Sequence, residues 1–235
     1  AKQYVHQSSW GVSTRLIGGI IMTHGDDAGL RLPPRLAPVQ VVVVPIAQKN
    51  KDKESVAAAA ADIVGALKAA GVRVKLDDDS RNSPGWQFNH WEMKGVPVRI
   101  EVGPKDVANG ACVVARRDKP GKEGKEFGVS AEPAALVEKI ATALDEVQAA
   151  LLAEARAFRD ANVVDVCSYD ELKAAIADGT WARGGWEGTD EQEKQIKEET
   201  GATIRCFPFE QPALPRACLM TGAAAKEVCI FAKSY

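Results

Sequence analysis

Residues 39–46, VQVVVVPI, form a nearly unbroken β-branched run, which reads as a strand buried on both faces. A strand of that kind needs apolar cover above and below its sheet, and the residues that follow supply it. Val56, Ala60, Ile63, Leu67 and Ala70 recur at helical spacing, and Gly71 stands where a C-terminal stop belongs. Residues 72–76 read as the next strand and residues 112–115 as another. Pro133 opens a long helix whose Leu136, Ile140, Leu144, Val147, Leu151, Ala155 and Phe158 make one stripe. Strands alternating with helices imply a layered α/β domain that ends near residue 160.

Inside that domain, residues 83–106 read SPGWQFNHWEMKGVPVRIEVGPKD. They gather two tryptophans, a phenylalanine and a histidine in a chain with only 6% aromatic residues, so one side of this unit is expected to be packed. Pro84-Gly85 begins it with turn chemistry, residues 86–91 suffice for a turn or two of helix, and Gly95 releases the chain. Residues 96–102 alternate as a strand, with Pro97 near the start where a missing donor is tolerated. On the polar side, Glu92, Lys94, Arg99 and Lys105 converge if the helix end, the strand and the following loop face one way. A carboxylate accepts from guanine N1–H and N2–H2, while Arg or Lys donates to O6 and N7, so this mixture suits an unpaired guanine. As residue types alone, they read first as a surface ion-pair network of little energetic weight.

Residues 11–32 read as an antiparallel hairpin: residues 16–23 are apolar and β-rich, residues 24–29 are turn material, and residues 30–32 return before Pro33-Pro34. His24 beside Asp26 and Asp27 has the letters of a metal or catalytic site, but a turn accounts for them better. Arg15, at the mouth of the first arm, suits a phosphate, although a single Arg specifies little. Residues 33–38 read as a linker and residues 119–125 as a charged, solvated loop. Beyond residue 160 a smaller α/β unit is expected. Ser168 with Glu171, and Thr189 with Gln192, are capping boxes; Gly179 and Gly201 stand past the ends of those helices. Residues 203–209 and 228–233 read as strands.

With 235 residues, the chain has material for one large domain or two smaller ones. A formal net charge of −2 excludes a global basic field, so any contact with nucleic acid must be local. The five cysteines form no CxxC pair and are odd in number, which fits free thiols in a reducing compartment and not a disulfide framework. No apolar run approaches a membrane span and the start lacks a signal-peptide core, so no membrane partner is expected. Beginning at Ala1 without a Met, the chain reads as a fragment or a processed product.

Residues 7–46, QSSWGVSTRLIGGIIMTHGDDAGLRLPPRLAPVQVVVVPI, resemble the end of the catalytic domain of a prolyl-tRNA synthetase running into its anticodon-binding domain. Residues 83–106 are similar to the most recognisable stretch of that anticodon domain, and the terminal KSY is similar to that of the eukaryotic and archaeal type. The resemblance implies three parts. Residues 1–36 would be an antiparallel hairpin remnant of the class II catalytic domain. Residues 37–160 would be a layered α/β anticodon-binding domain with a mixed sheet, and residues 161–235 a small α/β C-terminal domain. It further implies a ligase that uses ATP, with Mg2+, to form prolyl-adenylate and transfers proline to tRNA(Pro). Such an enzyme is expected to be a homodimer when full length and cytoplasmic, with an organelle left open.

Within that pattern Arg15, in STR, becomes the motif 3 arginine that clamps the ATP phosphates, a task suited to a planar, permanently charged, bidentate guanidinium. Ser13 stands at the nucleotide, and Trp10 and Gly11 at the wall of the proline pocket. Glu92, Arg99 and Lys105 become the readers of the two guanines of the proline anticodon, which reverses the order of the two readings above. Lys94 is not carried over. The terminal Tyr235 would fold back toward the catalytic site.

Two departures from the pattern matter. Motifs 1 and 2, the proline-binding Thr/Glu/Arg set and most of the adenine site belong upstream, so this chain is expected to carry no catalytic residue and not to activate proline alone. The family's C-terminal domain often holds zinc through four cysteines. Here Glu187 and Gln192 stand for the first pair, Cys218 keeps one place of the second and Thr221 replaces its partner. One cysteine does not make a tetrahedral site, so no zinc is expected, and Cys167, Cys206 and Cys229 read as small core residues. The alternative reading is a free-standing, non-catalytic RNA-binding or assembly module descended from the synthetase.

Overall fold

A computed structural model describes residues 5–46, 50–119, 121–211 and 216–234; Tyr235 lies outside the described residues. The chain divides into two units, Ala1–Ala155 and Arg156–Tyr235, with one sheet in each.

The first unit is organised on β1 (Val41–Pro45), flanked by β2 (Val74–Leu76) and β3 (Val98–Val102), both parallel to it. β4 (Ala111–Arg116) and β5 (Lys125–Ser130) follow β3 in antiparallel pairings, so the five-stranded sheet runs β2-β1-β3-β4-β5. Helices α1 (Arg15–His24), α2 (Asn50–Ala69), α3 (Pro84–Met93), α4 (Pro104–Ala108) and α5 (Pro133–Ala161) complete the elements that begin in it. Strand alternation sorts the side chains. Val41, Val43, Val98, Ile100 and Val102 meet Ile63 and Leu67 of α2 and Leu136 and Ile140 of α5 on one face. Val42 and Val44 meet Trp91 and Val96 on the other, under α3. The unbroken apolar run in β1 thus reflects cover on both faces.

The expected hairpin is corrected: residues 15–24 form α1, not a strand. Among the described residues no strand pairs beside them, so an extended arm would leave its backbone groups unpaired, whereas a helix closes them internally. No residue of α1 is buried, and Leu16, Ile17, Ile21 and Met22 are exposed. The turn forms, with Asp26 and Gly29 exchanging backbone hydrogen bonds of 2.9 and 3.0 Å. Its return arm pairs elsewhere: Leu30 N donates to Met93 O and Leu32 N to Gly95 O, both at 3.1 Å. At Gly95, with φ +74°, an added Cβ would lie 2.6 Å from the Leu30 carbonyl oxygen.

The linker over residues 33–38 is packed: Pro33, Pro34 and Ala37 are buried, and the Arg73 guanidinium donates to the carbonyls of Pro34 and Ala37 at 2.8 Å. The stripe of α5 is shorter than its spacing suggested. Burial ends at Leu151, and Phe158 is 73% exposed.

In the second unit, β6 (Val163–Asp165), β7 (Trp181–Trp186), β8 (Ala202–Cys206) and β9 (Glu227–Lys233) form a mixed sheet of order β6-β7-β9-β8. Leu172 and Ile176 of α6 (Tyr169–Ala177) and Ile196 of α7 (Asp190–Thr200) join Trp186, Cys218 and Phe231 in its core. Both caps form, Ser168 Oγ accepting from Glu171 N and Gln192 Oε1 accepting from Thr189 N. Cys229 is buried, but Cys167 and Cys206 are exposed, which corrects the expectation for those two. Cys167 precedes the N-cap of α6, and Cys206 is the last residue of the edge strand β8, where the sheet ends. Among the described residues no helix is long and apolar enough to cross a membrane.

Candidate nucleic-acid interface

All five residues of β3 are buried, yet two of them are charged. Val98, Ile100 and Val102 face α2 and α5, so Arg99 and Glu101 must face the other way, beside α3. Arg99 is 7% exposed and Glu101 6%. Burying either ion alone would cost several kcal/mol, roughly, and the pair persists because its hydrogen bonds are made. Arg99 Nε and Nη2 donate to Glu101 Oε1 at 3.1 and 3.0 Å, and Nη1 donates to Glu92 Oε1 at 2.9 Å. Lys125 Nζ, from β5, donates to the same Glu101 oxygen at 2.7 Å. Phe88 of α3 lies against both cations, its ring centre 4.1 Å from Arg99 Cζ and 5.2 Å from Lys125 Nζ.

A guanidinium has five N–H donors, and these bonds commit three of them. One N–H on each terminal nitrogen of Arg99 remains. Glu92, at the end of α3, has a side chain 45% exposed, and among the described residues its Oε2 accepts no hydrogen bond. These groups line a pocket of about 420 Å³ whose wall carries six cations and only two carboxylates. Glu101, Asp118 and Glu146 bond these cations from outside the lining, so the positive charge left over is local and small.

The rim is built by the hairpin between β4 and β5 and by the turn after α1. Arg117 Nε donates to the Glu92 carbonyl at 3.0 Å, and its terminal nitrogens hold Asp26 at 2.8 and 2.5 Å. The hydrogen bond from Arg117 holds the Asp26 carboxyl below its usual range. Arg116 is gripped by Asp118 at 3.0 and 2.8 Å and by Glu146. Lys119 and Lys122 also line the pocket.

Glu92 and Arg99 are therefore brought together, and Lys105 is not brought to them. It is exposed on α4, beyond the end of β3, and does not line the pocket. Lys94 caps α3 and rests 5.2 Å from the centre of the Trp91 ring, whose indole N–H donates to Asp77 at 2.7 Å. Trp10 is 94% exposed, Gly11, Ser13 and Arg15 are exposed, and none of the four lines the pocket. Sequence reasoning missed Glu101, Lys125, Arg116 and Arg117 as site residues. Glu101 was findable, because it stands two residues from Arg99 on the same strand face. The other three depend on strand register, which the sequence does not display.

In the second unit, Gln192 is used as a cap and Glu187 is ion-paired with Lys226. Burial pushes the Cys218 thiol up, but hydrogen bonds from the Thr221 hydroxyl and from the backbone of Thr221, Met220 and Glu187 leave it below its ordinary value. Among the described residues, no group of three or more His, Cys, Asp or Glu is arranged to hold a metal ion.

Residues 40–151 match the family described as "Anticodon binding domain", and residues 169–235 match "Prolyl-tRNA synthetase, C-terminal". The chain is 60% identical over 234 residues to a chloroplastic/mitochondrial proline–tRNA ligase of Arabidopsis thaliana, with 100% of this chain and 43% of that protein covered. It is 54% identical over 233 residues to a proline–tRNA ligase of Chloroflexus aurantiacus, covering 99% of this chain and 48% of the relative. With one from Acetoanaerobium sticklandii the identity is 46% over 234 residues, again 99% of this chain and 47% of the other. The chain thus spans a little under half the length of these relatives. Likeness along its whole length, together with both domain matches, shows that the chain belongs to the prolyl-tRNA synthetase family, as the part that carries the anticodon-binding and C-terminal domains.

Proposed function

We propose that this chain is the tRNA-reading portion of a proline–tRNA ligase, and that Glu92 and Arg99 read a guanine of the anticodon. The observation that supports it most is the paired guanidinium and carboxylate in the pocket, with two N–H groups and one carboxylate oxygen left over. Guanine offers O6 and N7 as adjacent acceptors and N1–H and N2–H2 as adjacent donors. The remaining Arg99 donors suit the first edge, and the remaining Glu92 oxygen suits the second. Adenine keeps N7 but replaces O6 by an amino group and lacks both N1–H and N2–H2, so Arg99 loses one of its two acceptors and Glu92 loses both donors. Lys105, carried over from the family pattern, takes the second guanine outside the pocket.

In this reading the whole enzyme joins proline to tRNA(Pro) with ATP and Mg2+, as a homodimer. Residues 1–36 end its catalytic domain, residues 37–160 are the anticodon-binding domain and residues 161–235 the C-terminal domain. Trp10 and Gly11 then wall the proline pocket, while Ser13 and Arg15 serve ATP. The C-terminal positions do not fit a structural zinc, since a capping amide, an ion-paired carboxylate and a hydroxyl stand beside one thiol. We hold that domain to be metal-free, and a stoichiometric zinc content by elemental analysis overturns this. The compartment is the cytosol, with an organelle as the alternative supported by the name of the Arabidopsis relative.

The test is binding to a stem-loop RNA with two adjacent loop guanines, and to the same RNA with either guanine replaced by adenine. The wild-type chain prefers the guanines. Arg99→Ala and Glu92→Ala each remove about 1–3 kcal/mol of that discrimination. Equal binding to all the RNAs by the wild type leaves only a surface ion-pair network.

A further inference from the structure

Four of the six cations at the pocket are already committed. Arg99, Arg116, Arg117 and Lys125 are each held by at least one carboxylate. Lys119 and Lys122 differ. Both are exposed on the turn between β4 and β5, both line the pocket, and neither forms an ion pair among the described residues. The division has a chemical meaning. A guanidinium locked between carboxylates presents a fixed edge and can select a base, but much of its charge is already balanced. A lysine at a rim carries a compact, hydrated charge on a flexible stem, which suits a phosphate oxygen approached from several directions. Any nucleotide whose base enters the pocket carries its phosphates to the rim.

We infer that Lys119 and Lys122 hold the RNA phosphates that flank the guanine read by Arg99 and Glu92. This rests on the function proposed above and adds a second group of residues with a different task. The hairpin supplies affinity without sequence preference, and the end of α3 with β3 supplies preference. The pocket then has fixed, ion-paired donors on its wall and unpaired lysine charge on its lip.

The experiment measures the affinity of the 235-residue chain for the guanine stem-loop and its adenine counterpart across a series of salt concentrations. In the double variant Lys119→Ala/Lys122→Ala, the slope of log K against log salt becomes shallower by about 1.4, from ~0.7 for each single-strand phosphate that is no longer neutralised. The ratio of guanine to adenine affinity stays at the wild-type value. Lys119→Arg/Lys122→Arg restores the slope. Both lysines are exposed loop residues, and circular dichroism melting checks that the variants keep the wild-type fold. An unchanged slope, with the wild type still preferring guanine, overturns the inference alone. A wild type indifferent to guanine overturns the reading on which it rests.

Discussion

Arg99 is the residue whose environment says most about its task. A surface ion pair contributes on the order of 0–1 kcal/mol, so exposed pairs such as Lys194 with Glu198 decide little. Arg99 and Glu101 are another matter, because both are buried in a central strand and each is the other's compensation. Glu101→Ala leaves the Arg99 and Lys125 charges without their shared acceptor. Its stability in urea should fall by about 3–5 kcal/mol, the range for breaking a buried pair from one side. A loss near zero would mean that water already compensates the guanidinium. Glu101→Gln keeps the volume and an acceptor and loses less. A second prediction concerns Asp26, held below its usual value of 3.8 chiefly by the Arg117 hydrogen bond. A carboxylate depressed in the folded state stabilises above its unfolded pKa, and that contribution is lost as pH falls through the folded value. Asp26→Asn should therefore be less stable than the wild type at neutral pH, with the gap closing as pH drops below 3.8. A gap constant with pH would show that Asp26 acts by shape alone.

Among the elements, the close approach of residues 30–32 to residues 93–95 fixes where α3 ends and how Glu92 is presented. Gly95 makes this approach possible: φ is +74°, and a Cβ would sit 2.6 Å from Leu30 O. Gly95→Ala should cost more than about 1 kcal/mol in denaturant unfolding, because backbone strain and a backbone clash add. It should also weaken guanine discrimination, while Gly65→Ala, in the open middle of α2, should not. The elements that could be read from sequence were those with a long, regular signal. β1 announced itself as a run, α2 and α5 as stripes, and β3 as an alternation that put Arg99 and Glu101 on one face. α1 was misread because LIGGIIMT is apolar enough for either structure, and only the presence or lack of a neighbouring strand decides. β6 has three residues and β7 reads WARGGW. In β7, Gly185 serves packing, since a Cβ there would meet Ala217 O at 2.5 Å, so its strand propensity is hidden. Half the site was hidden for a similar reason. Lys125 reaches Glu101 only through the pairing of β3 with β4 and of β4 with β5, a set of registers no single stretch of sequence encodes.

For the molecule as a whole, two potential binding regions have opposite physical states. The pocket beside β3 is assembled: its carboxylates and guanidinia are bonded, and its aromatic support is in place. Residues 10–15 are bare, with Trp10 94% exposed and Arg15 exposed on the first turn of a helix that buries nothing. Orientation by a surrounding site is what turns an arginine into a phosphate clamp, and an exposed guanidinium has no such site. The two activities should therefore separate on this chain. Guanine-selective RNA binding is expected, while proline-dependent exchange of pyrophosphate into ATP should stay at the level without proline. Arg15→Ala should leave RNA discrimination unchanged, whereas Arg99→Ala should lower it by about 1–3 kcal/mol. Exchange that depends on proline, and is lost in Arg15→Ala, would show that residues 10–15 complete an activating site without the remainder of the enzyme.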